Sequence, residues 1–579
     1  MPLFASRTRR HSSLFLLAVL VVCSANALAQ NAADLSEASR NATRIQREQE
    51  ERQRAELQRS LENSRAPGQI VVPAQPVADG RPDTGCVNVR VLRIDQAPHL
   101  SDKTRARLDK VYLGRCLTLN HIQELLSDIV ADYIARGQIG ARAYIRTQDA
   151  STGTLSVLVV EGTLEKIVLD DNGRNSVALA GVFPHLEGAL LNLRDLEMGL
   201  EQINRLASNN ATLEILPGQA AGGSVVAIRN TPSRRWRLTG SADNQGGDST
   251  GRNQASVGVG LDNALGLNDF LNLTYRRAVP TDYARAGSVS KSLTYVVPYG
   301  YNTFTLGVND SLYVSTLRTA GGQNLRSNGD SNNRFMQAER VVYRDQTSRA
   351  TLGTTLTRKD ANNFLAEQFL ATSSRTLTVW DLDAGLSHQW LGGVLSLQLG
   401  FSRGLHHFGA LDDAAGLPKN APHAQFRKLR YGASYYLPLS LRGVDLNLSS
   451  SLSGQHGIDV LYGSEQVLVG GIYSVRGYVN TTLSGDEGFV VRNDLAARIP
   501  FSLMGARQAL LRPYLGVDYG RVMRRGPDTQ AGYLSGAALG MSVSSGNLYL
   551  DVFNAWPIGM SSGLRHENNR LYLQLRATL

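Results

Sequence analysis

Long apolar runs are missing from this 579-residue sequence, and their absence limits how the chain can enter a membrane. The longest run, Leu14 to Cys23, is about half as long as the ~20 residues that a membrane-spanning helix needs. Hydrophobic residues nevertheless make up 42% of the chain, and glycine is plentiful at 56 residues. Any membrane-embedded part is therefore predicted to be a closed β-barrel, the other architecture that satisfies its backbone hydrogen bonds internally.

The signatures of catalysis, metal binding and nucleotide binding are also missing. The ten histidines include no HExxH pattern, and the pair His406-His407 lies between strand-like runs, which favours an exposed loop over a metal site. The glycine-rich segments lack the lysine and the strand–helix frame of a phosphate-binding loop, and the Gly-x-Ser matches lack the context of a nucleophile elbow. We predict a protein that is not an enzyme and that holds no cofactor or metal.

The net charge of +10 does not indicate a nucleic-acid partner. Arginine and lysine are scattered along the chain, whereas nucleic-acid binding favours a basic cluster or stripe.

Cysteine is scarce, with three residues in the whole chain. Residues 1–29 are typical of a secretory signal peptide, because basic residues precede the apolar run and Ala27-Leu28-Ala29 forms an A-x-A cleavage site. Lipid attachment at Cys23 is disfavoured by the bulky Val22 before it. Removal of the signal leaves Cys86 and Cys116, which we predict to form a disulfide in an exported chain, since no CxxC pattern supports a metal site.

Residues 30–65 are predicted to form a charged helix. The stretch from Asp34 to Arg65 contains no glycine or proline and carries seven acidic and seven basic residues. Several opposite charges are spaced four residues apart, which stabilises a solvated helix: Arg44–Glu48, Arg47–Glu51, Glu48–Arg52 and Glu50–Arg54. Its apolar residues are too sparse for a core helix. At about 1.5 Å per residue it would be roughly 48 Å long, enough to traverse a pore of bilayer thickness. A free tail remains the alternative.

Residues 66–83 contain four prolines and are predicted to be an extended linker. Such a linker would let the preceding helix leave a pore while staying attached to the chain.

Two small α/β units are predicted next, over residues 84–162 and 163–232. In the first we predict a strand over 87–94, helices over 102–112 and 120–136, and strands over 141–146 and 155–160. In the second we predict a strand over 164–169, helices over 177–183 and 193–208, and strands over 212–216 and 224–229. Apolar residues repeat every three to four positions along the main helix of each unit. We also predict a capping box formed by Asn120 and Gln123, and a helix stop at Gly137.

Residues 233–579 have the texture of a transmembrane β-barrel. Short runs such as Leu271–Tyr275 and Leu395–Leu399 alternate apolar and polar residues and are separated by turn residues. A soluble sandwich alternates too, but 347 residues of this texture, ending in a strand, favour a barrel. At about 22 residues for each strand and its connection, about sixteen antiparallel strands fit.

One long connection, residues 454–488, is predicted inside this region. Gly470, Gly471 and Gly477 allow tight turns there, and the cation Arg476 stands beside the aromatic Tyr478. Long loops in compact architectures tend to be functional, which makes this loop the candidate site.

The run Val475-Arg476-Gly477-Tyr478 resembles the VRGY motif of the sixth extracellular loop in TpsB transporters, the outer-membrane half of two-partner secretion. This family belongs to the BamA-like superfamily and serves exoproteins of the filamentous-haemagglutinin, haemolysin and contact-dependent-inhibition types. In it the loop folds back into the barrel, and its arginine pairs with the aspartate of a DxG motif on the inner wall. Asp518-Tyr519-Gly520 matches that motif. The two α/β units resemble POTRA domains.

The resemblance implies an outer-membrane barrel of about sixteen strands, two periplasmic POTRA domains and an N-terminal plug helix. It implies an unfolded exoprotein with an N-terminal two-partner-secretion domain as client, captured partly by strand addition to a POTRA sheet. Outer-membrane lipid and the barrel-assembly machinery are the other implied partners, and the last strand, 570–579, resembles the signal that this machinery reads. We expect Arg476 and Asp518 to fix the loop through a charge-assisted bond, with Gly477 permitting the turn and Tyr478 packing against the wall.

Two other functions share part of this pattern. A BamA-like insertase has POTRA units, a barrel and a similar loop, but it usually carries about five units and no plug. A passive porin has no need of client-binding periplasmic units.

Overall fold

The computed structural model describes residues 35–56, 70–71, 85–282, 284–319, 322–503, 507–523 and 530–579. The predicted signal peptide 1–29 lies outside the described residues, as do most of the predicted linker and both ends of the predicted helix 30–65. Within the described ranges, none of the helices combines the length and the hydropathy needed to cross a bilayer.

The N-terminal segment contributes a helix, α1 (residues 35–56), and a short strand, β1 (Ile70–Val71). β1 pairs in parallel with the sheet of the second α/β unit, placing Ile70 opposite Leu213 and Val71 opposite Glu214. The predicted linker is therefore extended at this point and adds a strand to a neighbouring sheet.

The first α/β unit has its helices packed on a three-stranded sheet. Its elements are β2 (Val87–Val89), β3 (Val91–Asp95), α2 (Asp102–Tyr112), β4 (Arg115–Leu117), α3 (Leu119–Ala135), β5 (Arg142–Ile145) and β6 (Thr154–Val160). Leu125, Ile129 and Tyr133 form the buried stripe of α3. The sheet order is β3-β6-β5, while β2 and β4 form a separate pair.

Two local predictions for this unit are wrong. The single strand expected over 87–94 is divided, because Val87–Val89 pairs with β4 and Val91–Asp95 pairs with β6. The capping box of α3 is formed by Thr118 and His121, not by Asn120 and Gln123. The helix stop at Gly137 is confirmed, since this residue has φ +85° and donates its N–H to the carbonyl of Ile134.

The second α/β unit contains β7 (Thr163–Asp170), α4 (Leu179–Val182), α5 (Leu193–Asn204), β8 (Ala211–Pro217) and β9 (Gly223–Asn230). Its sheet has the order β1-β8-β9-β7. Helix α5 ends four residues before the predicted end at 208. The reason is Asn204, whose amide accepts from the N–H of Ala211 and donates to its carbonyl at 2.8 and 2.9 Å, turning the chain into β8.

Two glycine backbones touch at the end of the first α/β unit. A Cβ on Gly140 would lie 2.8 Å from the Cα of Gly162, so neither position has room for a side chain. Beside this contact, Glu161 accepts hydrogen bonds from His99 Nδ1 and from the hydroxyl of Tyr133, both at 2.7 Å. Burial opposes ionisation of Glu161, but these hydrogen bonds outweigh it and hold the pKa of that carboxyl below its usual range.

The rest of the described chain forms a closed antiparallel barrel of sixteen long strands, which confirms the predicted fold class. These strands are β10 (Trp236–Asp243), β11 (Gln254–Asp262), β12 (Phe270–Ala278), β13 (Gly287–Tyr299), β14 (Asn302–Arg318), β15 (Asn324–Arg344), β16 (Ser348–Leu365), β18 (Arg375–Trp390), β19 (Gly393–Leu405), β20 (Arg427–Leu441), β21 (Val444–Gly457), β24 (Glu487–Leu503), β25 (Arg507–Met523), β26 (Gly532–Ser545), β27 (Leu548–Met560) and β28 (Arg570–Thr578). Three short strands lie in the connections: β17 (Gln368–Phe369), β22 (Val467–Val469) and β23 (Leu483–Gly485).

The barrel wall shows the alternation that its sequence predicts. On β11, for example, Val257, Val259 and Leu261 are exposed on the outer face, whereas the residues between them are not. The barrel closes where β10 pairs with β28. Outward-facing apolar residues suit lipid, and the inward face is left for polar side chains.

Helix α5 docks the second α/β unit onto the barrel end that carries the short turns. The hydroxyl of Tyr301 donates to Asp195 at 2.6 Å, and Arg344 and Arg349 each donate to Glu201 at 2.5 Å. The opposite end of the barrel therefore carries the longer connections, including the candidate loop.

Candidate functional site in the barrel lumen

The long loop joins β21 to β24 and folds back into the barrel. Its two flanking strands run farther than predicted, so the connection covers residues 458–486 instead of 454–488. The loop's Val475 and Tyr478 are buried and pack in one apolar cluster with Val490, Val522 and Leu534 of the wall. The loop tip is thus held against strands β24, β25 and β26.

Arg476 and Asp518 are in direct contact at the loop tip. The backbone N–H and Nε of Arg476 donate to Asp518 Oδ2 at 2.9 and 2.7 Å, and Nη2 donates to Oδ1 at 2.7 Å. Both side chains are shielded from solvent, with 5% of Arg476 and 0% of Asp518 exposed. A guanidinium that grips both oxygens of a buried carboxylate is a strong, directional contact.

Two further charged residues of β24 join this pair, and sequence reasoning missed both. Asp494 Oδ1 lies 2.7 Å from Nη2 of Arg476. Arg492 stands opposite Asp518 in the strand register and donates to the carbonyl of Ile472 in the loop at 3.0 Å. Residues 492 and 494 are two positions apart and so lie on the same face of the strand. This spacing identifies them as site residues only once the strand beside β24 is known.

Small residues on the wall make room for the loop tip. A Cβ on Gly516 would lie 2.2 Å from Nη2 of Arg476, and one on Gly536 would lie 1.9 Å from its carbonyl oxygen. A Cβ on Gly520 would lie 2.5 Å from Val469 of the loop. Gly516, Asp518 and Gly520 therefore form an inward-facing Gly-x-Asp-x-Gly surface on β25, of which the sequence motif covers only the second half.

Gly477 and Tyr478 complete the tip. Gly477 has φ +100°, a conformation that strains other residues, and a Cβ there would lie 2.6 Å from the backbone of Trp556. The hydroxyl of Tyr478 donates to the carbonyls of Ser535 and Gly559 at 3.1 and 2.8 Å. All six residues singled out around the loop motif are thus brought together at one place on the wall.

The root of the loop has a second charged cluster, which the sequence did not reveal. Glu465 is 2% exposed and lies 2.6 Å from Nζ of Lys359 on β16 and 2.9 Å from Nζ of Lys428 on β20. Lys428 also donates to the backbone carbonyl of Glu465 at 2.9 Å. The two lysines lie on different strands, β16 and β20, so their meeting depends on the loop folding back into the barrel.

Helix α1 lies in the lumen between the wall and the loop. Arg47 donates to the carbonyl of Gln466 in the loop at 2.8 Å, and Glu50 lies 3.7 Å from Lys359 of the wall. Gln46 donates to Asn363 at 3.2 Å, and Glu56 lies 3.2 Å from Arg276. A cavity of about 1050 Å³ remains beside the N-terminal half of the helix.

The helix differs in two respects from the prediction of a solvated helix. Ala38, Ala42 and Ile45 are buried against the wall. Of the expected ion pairs at i,i+4, Arg44–Glu48 forms at 2.5 Å, whereas Arg47 pairs with Glu50 one residue earlier than predicted. The lumen offers polar partners at many angles, so these side chains are not restricted to partners on their own helix.

The remaining predicted residues lie apart from this site. Cys86 and Cys116 form the predicted disulfide in the first α/β unit. His406 and His407 are exposed in the connection after β19, as expected for a loop pair. Across the described part of the chain, no group of histidine, cysteine and acidic residues is arranged to hold a metal ion.

Comparison with known proteins agrees with this architecture. A sequence model of the family described as haemolysin secretion/activation protein ShlB/FhaC/HecB matches residues 222–543, more than half of the chain. The chain belongs to this family. POTRA models match both α/β units: a ShlB-type POTRA domain matches residues 87–162, and a second POTRA domain matches residues 163–217.

Individual members of the ShlB/FhaC/HecB family match along most of their length. The outer membrane transporter CdiB of Dickeya dadantii (strain 3937) is 33% identical, covering 92% of this chain and 93% of its own. The hemolysin transporter protein ShlB of Serratia marcescens is 34% identical over 73% of this chain and 74% of its own. The solved structure of CdiB from Escherichia coli has a TM-score of 0.83 at 30% identity, covering 93% of this chain and 98% of that one. The resemblance to TpsB transporters is confirmed.

Proposed function

We propose that this chain is an outer-membrane translocator of two-partner secretion, which takes up one large unfolded exoprotein through its POTRA domains and passes it through the barrel. Family membership and the likeness to CdiB and ShlB support this assignment. The single observation that carries it is the lumen itself: a charged helix and an anchored loop fill a barrel that has two POTRA domains at its mouth.

Strand addition is the mode of client capture that we propose for the POTRA domains. Strand β8 already accepts an extended segment of this chain, because Ile70–Val71 pairs with it in parallel and becomes the edge of the sheet. An unfolded exoprotein offers many such segments, and main-chain hydrogen bonds at an edge bind them with little regard to sequence. Specificity for one exoprotein would then come from its N-terminal two-partner-secretion domain and not from strand addition.

Arg476 and Asp518 fix the loop in its transport-competent position in this proposal. The bidentate contact, the buried carboxylate and the glycines under the guanidinium all favour one loop position. Removing the arginine leaves a buried carboxylate without its main partner, which costs roughly 3–5 kcal/mol. That cost falls on the position of the loop, because the ladder between β24 and β25 does not include the side chain.

The experiment is a secretion assay for the large exoprotein encoded beside this gene. Culture medium is assayed for the exoprotein in cells with the wild-type chain, without the chain, and with Arg476→Ala. Arg498→Ala is the control, because Arg498 is an exposed arginine on the neighbouring strand β24. We expect secretion with the wild type and the control only, while the Arg476→Ala barrel is present in the outer membrane.

The opposite outcome is equally clear. If the exoprotein leaves the cell without this chain, while other outer-membrane barrels fail to assemble in its absence, the chain is an insertase and the proposal is wrong. If Arg476→Ala secretes like the wild type, the role proposed for the arginine is wrong even though the translocator assignment stands.

A further inference from the structure

The geometry points to a second anchor of the long loop, and we propose that Glu567 is a positioning residue for translocation. Glu567 lies in the connection between β27 and β28, residues 561–569. The inference rests on the proposed function for its role in secretion. The anchor itself is a property of the loop and is testable without a client.

The Glu567 carboxylate accepts hydrogen bonds from three successive backbone N–H groups of the loop. Oε1 accepts from Val479 at 3.2 Å, from Asn480 at 3.0 Å and from Thr481 at 2.6 Å, and Oε2 accepts from Val479 at 3.0 Å. Consecutive N–H groups that converge on one anion form a concave binding site for it. Hydrogen bonds to an ionised carboxylate are also stronger than those between neutral groups.

Neighbours of Glu567 in the same connection support this contact. The hydroxyl of Thr481 donates to the carbonyl of Arg565 at 2.9 Å. Leu564 packs against the apolar cluster that holds Val475 and Tyr478. Apolar packing, a hydrogen bond from a side chain to the backbone, and the hydrogen bonds to the Glu567 carboxylate therefore join the 561–569 connection to the loop tip.

The contact at Glu567 joins the loop to different strands from those joined by the Arg476–Asp518 contact, the first anchor. Arg476 is bound to β24 and β25, whereas Glu567 precedes β28, the strand that closes the barrel against β10. Arg570 of β28 holds Asp248 of the β10–β11 connection through two contacts of 2.9 and 2.6 Å, and Asp248 accepts from Asn480 of the loop at 3.0 Å. The loop is thus fastened between the middle of one wall and the closing strands of the barrel.

Two substitutions at Glu567 separate the anchor from a general structural effect. Glu567→Ala removes all four hydrogen bonds. Glu567→Gln keeps one carbonyl oxygen, which can replace Oε1 and keep three of them. The matched control is Glu367→Gln, an exposed carboxylate in another extracellular connection whose partner is Arg326, away from the loop.

The readout is the reactivity of a cysteine placed at Val475, which is 0% exposed at the loop tip. The full-length chain carrying Val475→Cys is purified, and its labelling by a maleimide dye is timed; the disulfide-bonded Cys86 and Cys116 do not react. We expect labelling about tenfold faster or more with Glu567→Ala, because several hydrogen bonds to a charged group are lost. Glu567→Gln should fall between, and Glu367→Gln should match the parent.

Secretion is measured with the same Glu567 variants in a chain that keeps the natural Val475. Assembly of the barrel is checked by its heat-dependent migration on a denaturing gel. We expect Glu567→Ala to lower secretion several-fold with assembly intact, and Glu567→Gln to restore part of it. A labelling rate for Glu567→Ala equal to that of the parent would overturn the second anchor. If the wild type itself fails to secrete, the proposed function is wrong, while the labelling result still decides the anchor.

Discussion

Two polar segments share the lumen of the barrel, the long loop and helix α1, and the wall holds them in different ways. At the loop tip, Arg476 is the main partner of Asp518, a carboxylate that is 0% exposed. Withdrawing the loop would break this bidentate contact and leave Arg492 Nε, at 3.8 Å, as the nearest remaining cation. Losing a hydrogen-bonded ion pair of this kind is costly, so the loop is expected to stay.

The wall charges that α1 contacts have partners of their own. Arg276, which meets Glu56 at 3.2 Å, also holds Asp243 through contacts of 2.8 and 2.7 Å. Lys359, which lies 3.7 Å from Glu50, holds Glu465 at 2.6 Å. The helix can therefore leave the lumen without leaving either wall cation unpaired.

The helix would also keep part of its own charge pairing outside the lumen. Arg44 pairs with Glu48 and Arg47 pairs with Glu50 within the helix. From this difference we expect one polar lumen to hold a part that can leave, the helix, and a part that stays, the loop. Whether a segment stays depends on whether its contact is the main compensation for a buried charge, and less on how many contacts it makes.

Removal of the helix should produce the largest effect on conductance. Deleting residues 35–56 replaces a helix about 10–12 Å wide by water, so we expect conductance in planar bilayers to rise on the order of tenfold. The full-length chain is the control and should conduct weakly. Equal conductance of the two chains would show that α1 does not close the pore. It would contradict the proposed difference between the helix and the loop.

Substitution of Asp518, the partner of the loop's Arg476, should have the largest effect on secretion. Asp518→Asn removes the charge that compensates Arg476, and a loss of roughly 3–5 kcal/mol in loop positioning should lower secretion by tenfold or more. Asp494→Asn is the matched variant, because Asp494 contacts the same guanidinium but is 30% exposed. We expect a smaller loss there. Equal losses would mean that burial does not set the strength of the anchor.

Filling the space under the loop tip should have an intermediate effect. A Cβ on Gly536 would lie 1.9 Å from the carbonyl oxygen of Arg476, so Gly536→Ala must displace the tip, at about 1–3 kcal/mol. We expect a several-fold loss of secretion. Gly258→Ala is the control, since its Cβ would lie 3.7 Å from its nearest neighbour. Secretion of Gly536→Ala at the control level would contradict close packing of the tip.

The smallest effect is expected at the shared lysine. Lys359→Gln removes a weak contact to Glu50 and one of the two lysines that hold Glu465, while Lys428 remains in place. The contact to Glu50 is long, at 3.7 Å, so its loss should make pore openings only a few times more frequent. Secretion should persist. A complete loss of secretion would show that the loop root depends on Lys359 more than its second lysine suggests.

Most of the fold could be predicted from the sequence because its signals are local. Period-two alternation predicted the barrel, and the stripe of Leu125, Ile129 and Tyr133 predicted α3. The division between β2 and β3 could not be predicted, because it depends on which strand each half pairs with. The capping box at Thr118 and His121 was missed because histidine is not one of the usual acceptors in that motif.

The candidate site was predictable only where it resembles a known motif. Arg476 and Asp518 were found in this way, whereas Asp494, Glu465 and Glu567 were not. Each of these three meets its partner through strand register or barrel closure, and a linear pattern gives at most the face of the strand on which a residue lies. Glu567 in particular stands in an irregular connection, where no periodicity indicates its direction.

The measurement that tests the account most directly is secretion by a chain whose helix is tethered to its loop. A Cβ on Gly463 would lie 3.5 Å from Cβ of Thr43, within the range of a disulfide, so Thr43→Cys with Gly463→Cys can join α1 to the loop root. Wild type and both single variants, with and without reductant, are the controls. We predict that the oxidised double variant does not secrete and that reductant restores secretion. Secretion by the oxidised chain at the wild-type rate would contradict the claim that the helix leaves while the loop stays.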